Sequence, residues 1–278
     1  ASIQSAPQSI PGLLIGAVLA QKYGALTAIS SICIGNLLLW IIGLGIISIN
    51  AQSRKNVIQV ALEHLGKWGG YLVAIVLTLA FVFWYVIAIE TTIQALNPVI
   101  PLEWGKPLGV ILSIIIAILS IGGIRLIKWV CVIGLPVLLI IMASGLFYYG
   151  SIPTMGSGAI SFTGVILIIF LNLPGFVNLS TFFRHARSRA DSILGLSTTI
   201  LLYILIPIPA IFIGTSHSSE IFLSQSIYSN VITTSFIIIA FTCLNLINIY
   251  LTSTVIEVLL NRFFNSMTYF WMGIAGTI

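Results

Sequence analysis

Ser9-Ile10-Pro11-Gly12-Leu13-Leu14, near the start of the chain, is echoed 163 residues later (174 minus 11) by Asn172-Leu173-Pro174-Gly175-Phe176-Val177. Both stretches lie inside apolar runs. Proline removes a backbone donor and clashes with the preceding helical turn, and glycine tolerates the unwound geometry that results. The released N–H and C=O groups cannot face hydrocarbon. They have to face protein or a wet cavity, where half-helix ends bind ions and polar groups. The spacing therefore predicts two broken helices, at Pro11-Gly12 and at Pro174-Gly175.

Working outward, the same offset sets Leu38-Leu39-Trp40-Ile41 against Leu201-Leu202-Tyr203-Ile204. Apolar segments bounded by polar or Gly/Pro punctuation are read as helices at about 8–20, 25–49, 68–96, 107–122, 127–149, 159–181, 192–214, 228–260 and 266–278. The third then falls on the eighth and the fourth on the ninth. Five helices separate corresponding elements, an odd number, so each pair crosses the membrane in opposite directions. The expectation is one transmembrane domain over 1–278, with a first inverted repeat at 1–150 and a second, incomplete one at 158–278. Inverted repeats with interrupted helices at matching places point to a transporter's binding site.

Composition agrees. Of the residues, 59% are hydrophobic and 6% charged, against roughly 25% charged in a soluble domain. The formal charge of +5 is distributed as an orientation signal, not as a nucleic-acid surface. With the first connection outside, Lys22 and Lys106 lie on the outer side. Arg54, Lys55, Lys67, Arg125, Lys128, Arg184, Arg187, Arg189 and Arg262 lie on the other, which makes the start of the chain cytoplasmic. Arg184-His185-Ala186-Arg187-Ser188-Arg189 reads as a topology anchor. Cys33, Cys131 and Cys243 stand singly in apolar runs, so neither a disulfide framework nor a metal site is indicated. No cofactor is expected beyond Na+ or H+ as a coupling ion.

Several short stretches, in order along the chain, resemble the nucleobase–cation symporter family, and within it the bacterial cytosine permeases. They are Ile34-Gly35-Asn36-Leu37-Leu38-Leu39, Phe83-Trp84-Tyr85, Phe182-Phe183-Arg184-His185-Ala186-Arg187 and Asn248-Ile249-Tyr250. The resemblance implies an all-α, leucine-transporter-like fold of two five-helix inverted repeats with broken first and sixth helices. It also implies symport of a nucleobase or related heterocycle with sodium or a proton. About nine helices are present, and the tenth and later ones are expected to be missing. A bacterial inner membrane, lipid surroundings, a small-molecule substrate and a monomer follow as expectations.

The resemblance assigns Trp84 as an aromatic on which a planar base stacks. Three positions earlier the family carries a glutamine, here Phe81, and its aromatic near the sixth-helix break is Asn172. Its acidic residue before the Phe-x-Arg element is Thr181. These departures move the expected substrate away from cytosine. The substrate set is Gly12, Phe81, Trp84, Asn172, Gly175, Asn248 and Thr252, with Asn178 just beyond the second break. Amides read the donor and acceptor edges of an uncharged ring. The implied fold brings the eighth helix to the first at a cation site, which assigns Ile10, Leu13, Asn245, Thr252 and Ser253. Asn245, Asn248 and Thr252 share a helix face, although such groups also bond neighbouring helices.

Glu90 lies deep in the third helix, and an intramembrane carboxylate is by default functional, as a proton carrier or a substrate partner, the alternative being simply a protonated hydrogen-bond donor. Glu257 pairs more simply with Arg262. His64, His185 and His217 fall in loops or at helix ends. An amino-acid transporter of the same fold and a truncated, non-transporting remnant are the alternatives. A membrane enzyme would need clustered titratable groups, and a channel a charged ring or filter; the sequence offers neither.

Overall fold

The protein is described by a computed structural model covering residues 1–50, 54–96, 102–149, 154–214, 227–260, 270, 271, 273 and 274. All regular structure among these residues is helical. In chain order the helices are α1 (Ser2–Ser5), α2 (Ser9–Tyr23), α3 (Ala25–Asn50), α4 (Val57–Leu96), α5 (Gly105–Ser120), α6 (Gly123–Tyr149), α7 (Phe162–Val177), α8 (Leu179–Phe183), α9 (Arg189–Leu205), α10 (Ile208–Gly214) and α11 (Ile227–Leu260). Five stretches are long and apolar enough to cross a bilayer: Ala25–Ile49, Val57–Gln94, Gly123–Phe147, Arg189–Phe212 and Thr234–Leu260. Gly105–Ser120 and Phe162–Val177 are shorter apolar helices. The protein is an integral membrane protein. Of the nine segments expected, the last (266–278) lies almost wholly outside the described residues.

Three boundaries differ from expectation. First, α4 begins eleven residues before the expected start at 68. Asn56 caps it reciprocally: the Gln59 N–H donates to Asn56 Oδ1 (2.8 Å) and the Asn56 N–H to Gln59 Oε1 (2.9 Å), a capping box. Gly66, at φ 70° and ψ −178°, then interrupts the helix before the span, a conformation that only glycine adopts freely. Second, the expected segment 192–214 is two helices. Pro207 and Pro209 lack the N–H groups that would bond the Tyr203 and Leu205 carbonyls, and α9 gives way to α10 at Ile206–Pro207. Third, the breaks near Pro11 and Pro174 lie a few residues from those prolines, as described below.

The chain forms two compact units. The first comprises 1–54 and 135–224 and so contains α1–α3, α7–α10 and the C-terminal part of α6. Here α3 packs along both α7 and α9. Close approach is set by missing side chains. A Cβ on Gly35 would lie 2.7 Å from Ile168 Cγ2, and one on Gly43 2.7 Å from Leu196 Cδ1. Leu39, Phe176, Leu179, Leu196 and Tyr203 form one apolar core, and Leu19, Ile32, Ile168 and Ile211 belong to another. The segment after α6 returns to cap α3: the Ala25 and Leu26 N–H groups donate to the Thr154 and Met155 carbonyls, each at 2.8 Å. That closure needs Gly24 (φ 83°) against Gly156 (φ 69°), since a Cβ on Gly156 would meet the Tyr23 carbonyl oxygen at 2.5 Å.

The second unit, 55–134 with 225–278, holds α4, α5, the start of α6 and α11. Leu77, Phe81, Tyr85, Ala88 and Thr92 form a buried stripe on α4 at the three- and four-residue spacing of one helix face. The Tyr85 hydroxyl donates to the Gly273 carbonyl at 3.2 Å. In the α11 span 67% of the most apolar window is buried, against 28–39% in the other four spans. Residues 245–255 are buried without exception. Thus α11 is surrounded by protein where the other spans leave most of their surface to lipid.

Gly16 packs on the α9–α10 break, where an added Cβ would sit 2.5 Å from the Pro207 carbonyl oxygen; at Gly45 the space is open. Alanine normally improves a helix by about 0.5–1 kcal/mol over glycine. Gly45→Ala should therefore hold or raise the thermal midpoint. Gly16→Ala should lower it by several degrees, because overpacking against backbone costs roughly 1–3 kcal/mol. Thermal unfolding of the two purified variants checks this, and equal midpoints would contradict the packing described.

Candidate functional site

In the first unit the polar residues gather at two helix interruptions. The first lies at Ala6–Gln8, between α1 and α2. Pro11 is already helical, the third residue of α2. What breaks the chain is a pair of prolines four residues apart. Pro7 cannot donate to the Ile3 carbonyl, and Pro11 cannot donate to the Pro7 carbonyl. Two ladder bonds are therefore lost together. The chain tightens across the gap through Gln8 N–H to Ser5 O (3.2 Å) and Ser9 N–H to Ala6 O (3.3 Å). The Ser9 hydroxyl also donates to Ala6 O at 2.7 Å.

The second interruption falls at Asn178, between α7 and α8, four residues after Pro174. Asn178 Nδ2 donates to the Pro174 carbonyl at 2.8 Å, taking an acceptor that the continuing helix would have used. Its Oδ1 is buried and has no partner among the described residues.

The two interruptions are joined by side chains. Gln8 Nε2 donates to Asn172 Oδ1, and Asn172 Nδ2 donates to the Ile168 carbonyl at 3.0 Å. From α9 the Tyr203 hydroxyl donates to the Gln4 carbonyl at 3.2 Å, while its ring meets Phe176 edge-on at 6.0 Å. Gln4 Oε1 lies over Gly175, 3.3 Å from where a Cβ would stand. Gln4 Nε2 and Ser5 Oγ are buried without a partner among the described residues. The result is a cluster of neutral amides and hydroxyls able to both give and accept hydrogen bonds.

Several expected roles change. Gly12 does not line this cluster: an added Cβ would meet Ile206 Cγ2 at 2.9 Å, so Gly12 lets α2 approach the α9–α10 break. Ile10 and Leu13 lie within α2, where their carbonyls serve the helix ladder; the carbonyls released by proline belong to Ile3 and Pro7. Asn172 and Gly175 lie within one turn of α7, Asn172 against Gln8 and Gly175 against Gln4. Sequence reasoning missed Gln4, Gln8 and Tyr203. The Pro7–Pro11 spacing was a usable signal for the first two, because it moves the break upstream of Pro11.

In the second unit, Asn245, Asn248, Thr252, Ser253 and Thr254 are all buried on α11. Both amide atoms of Asn245, Asn248 Nδ2 and Ser253 Oγ have no partner among the described residues. The Thr254 hydroxyl is used locally, donating to the Tyr250 carbonyl at 2.9 Å. Leaving a buried polar group unsatisfied costs about 1–3 kcal/mol, so a partner that completed the bonds of these groups would be favoured. Their oxygens are hard donors of the kind that suit a small cation. On α4, Phe81 is buried, Trp84 is half-buried beside it, and Phe83 is exposed.

Glu90 is exposed on α4 and accepts from Gln94 Nε2, one turn on, at 3.0 Å. Glu90 stands off the buried α4 face of Phe81, Tyr85 and Ala88. Glu257 is partly buried, and its expected partner Arg262 lies outside the described residues, as does His217. His185 accepts from Arg184 Nε at 3.1 Å. Burial, helped by the Arg184 charge, holds its pKa below the usual value, consistent with a neutral ring that can accept. Thr181 is buried in α8. Among the described residues no buried side chain carries a charge.

Interrupted helices lined with uncharged polar groups, in an all-helical membrane protein, define a class of fold. Its similarity to a solved structure is specific: the chain matches Mhp1, a nucleobase-cation-symport-1 family transporter solved in a closed conformation with bromovinylhydantoin bound, at a TM-score of 0.76. The match covers 99% of this chain and 70% of that one, at 14% sequence identity. No protein-family model matches the chain, and no curated protein matches it by sequence. An all-helical membrane fold like that of this transporter is thus present.

The Gln8–Asn172 contact can be tested by a double-mutant cycle. Gln8→Ala and Asn172→Ala should each destabilise the protein, and the double variant should lose less than the sum. A coupling of about 0.5–3 kcal/mol is expected for two groups in contact; strict additivity in thermal or denaturant unfolding would show that the amides do not interact.

Proposed function

We propose that the protein is a secondary active transporter of a small, uncharged, nucleobase-like heterocycle, working by alternating access and coupled to Na+ or H+. The observation that carries this reading is chemical. Every buried polar side chain among the described residues is neutral, and the helix interruptions and α11 carry amides beside hydroxyls. A ring with cis-amide edges presents donors and acceptors side by side, which amides match. A charged substrate buried in such surroundings would lack a counter-charge. The Mhp1-like fold supports transport, and bromovinylhydantoin, the molecule bound to that protein, is a neutral heterocycle of this kind.

In this reading Gln8 and Asn172 recognise ring edges in the first unit, and Trp84 and Asn248 serve recognition in the second. Asn245, Thr252 and Ser253 supply oxygens to a sodium ion. The inverted repeat is supported by the partition of helices. The first unit takes the first and second helices of each half (α2 and α3; α7 and α9), and the second unit takes α4, α5 and α11. A cytoplasmic N-terminus rests on the nine-to-two distribution of basic residues. The rival reading, an amino-acid transporter, rests on the N-terminal dipole of α2, which would hold a carboxylate without a basic side chain.

Proteoliposomes carrying the full chain test both. Labelled hydantoins, pyrimidine and purine bases, and neutral amino acids should separate, with uptake or competition confined to the heterocycles and raised by a sodium or proton gradient. Asn248→Leu should reduce heterocycle uptake about tenfold, since losing one buried polar contact costs of order 1–3 kcal/mol. Uptake of amino acids alone would overturn the reading.

A further inference from the structure

Three arginines that the sequence scatters over 136 positions meet in one pocket of the first unit. Arg54 follows α3, while Arg187 and Arg189 flank Ser188 at the start of α9, and together they line a small cavity with Ile47 and Phe183 on its apolar side. Ser188 is the N-cap of α9 at φ −143° and ψ 166°. Its hydroxyl accepts the Asp191 N–H at 3.1 Å, and the Ser192 N–H bonds Ser188 O at 3.2 Å. The N–H groups of Arg189 and Ala190 thus stand outside the helix ladder at the positive end of a 17-residue helix. The nearest acidic residue in sequence, Asp191, is exposed. Among the described residues the single ion pair is Lys55 with Glu63, so none of the three guanidinium groups has a carboxylate partner.

Orientation explains why basic residues collect at one end of a membrane protein. It does not explain why Arg54 is brought to Arg187 and Arg189. Three like charges around one cavity repel unless an anion neutralises them. We infer that this pocket binds a phosphate group, with the headgroup of an anionic phospholipid as its favoured source. Guanidinium forks match phosphate oxygens two at a time, and the helix N-terminus adds backbone donors. Position favours the lipid. The pocket lies where α3 leaves, and α9 enters, the apolar span, and the partly exposed Phe183 ring in its lining gives acyl carbons an apolar contact that free phosphate would not use. Basic pockets between transmembrane helices hold lipid headgroups in this way. The inference is independent of the transported substrate.

The test is thermal unfolding of the purified full chain in neutral detergent at fixed ionic strength. It is titrated in parallel with dihexanoyl-phosphatidylglycerol, dihexanoyl-phosphatidylcholine and inorganic phosphate. Phosphatidylglycerol should raise the midpoint in a saturable way and phosphatidylcholine should not. Arg54→Gln and Arg187→Gln should each weaken the half-saturating concentration about tenfold, as loss of a charge-assisted contact requires. Lys128→Gln, a basic residue that does not line the pocket, should leave it unchanged. If Arg187→Gln does not fold, Arg187→Lys keeps the charge, loses the fork and should give an intermediate response. A response to inorganic phosphate as strong as to the lipid, with the same sensitivity to the variants, supports the phosphate site and assigns it to the free anion. No response to either anion, or an equal loss in Lys128→Gln, overturns the proposal.

Discussion

In hydrocarbon a backbone N–H or C=O has no water to turn to, and each one left unpaired costs several kcal/mol. The rest of this structure depends on that constraint. Helices satisfy it residue by residue, and so the described chain is helical throughout. Proline breaks it locally. Pro7 with Pro11, Pro174, and Pro207 with Pro209 each release carbonyls from the ladder, and near each the structure supplies side chains or close protein packing. Asn178 bonds the Pro174 carbonyl, Tyr203 bonds the Gln4 carbonyl, and the Pro207 carbonyl lies against Gly16. The interruptions are buried because they could not exist in contact with lipid.

The same constraint connects fold to function. Groups withheld from the ladder are already desolvated and fixed in direction, so a ligand that completes their hydrogen bonds meets little reorganisation. Gln4, Asn178, Asn245, Asn248 and Ser253 all carry buried atoms with no partner among the described residues. None of these side chains carries a charge. Neutral, polar groups of this kind, in either unit, discriminate by hydrogen-bond pattern more than by charge. The arginine pocket follows the opposite logic. It stands at the end of the span, where charge is tolerated, and it gathers like charges that only an anion relieves.

Much of the fold was legible because lipid simplifies the code. Apolar length marks the spans, and α3, α5, α7 and α11 begin or end within a few residues of expectation. The misplaced break near Pro11 shows where the reading stops. Pro-Gly was taken as the break itself, yet a proline's loss falls on the carbonyl four residues earlier, so Pro7 and Pro11 together set the gap at Ala6–Gln8. The surroundings of Glu90 were not legible for a different reason. Burial of a helix face is decided by its neighbours, and apolar residues on all sides of α4 hide which face that is.

Composition, apolar length and proline spacing suffice to make this chain a polytopic helical membrane protein with interrupted helices, because each acts on the backbone locally. Which side chains meet depends on contacts between residues distant in sequence. The partnership of Gln8 with Asn172, the seating of Gly12 and Gly16 on the α9–α10 break, the enclosure of α11, and the convergence of Arg54 with Arg187 and Arg189 belong to the tertiary structure alone. Packing between helices sets those contacts, and in a chain so uniformly apolar the sequence pattern around each helix carries almost no record of it.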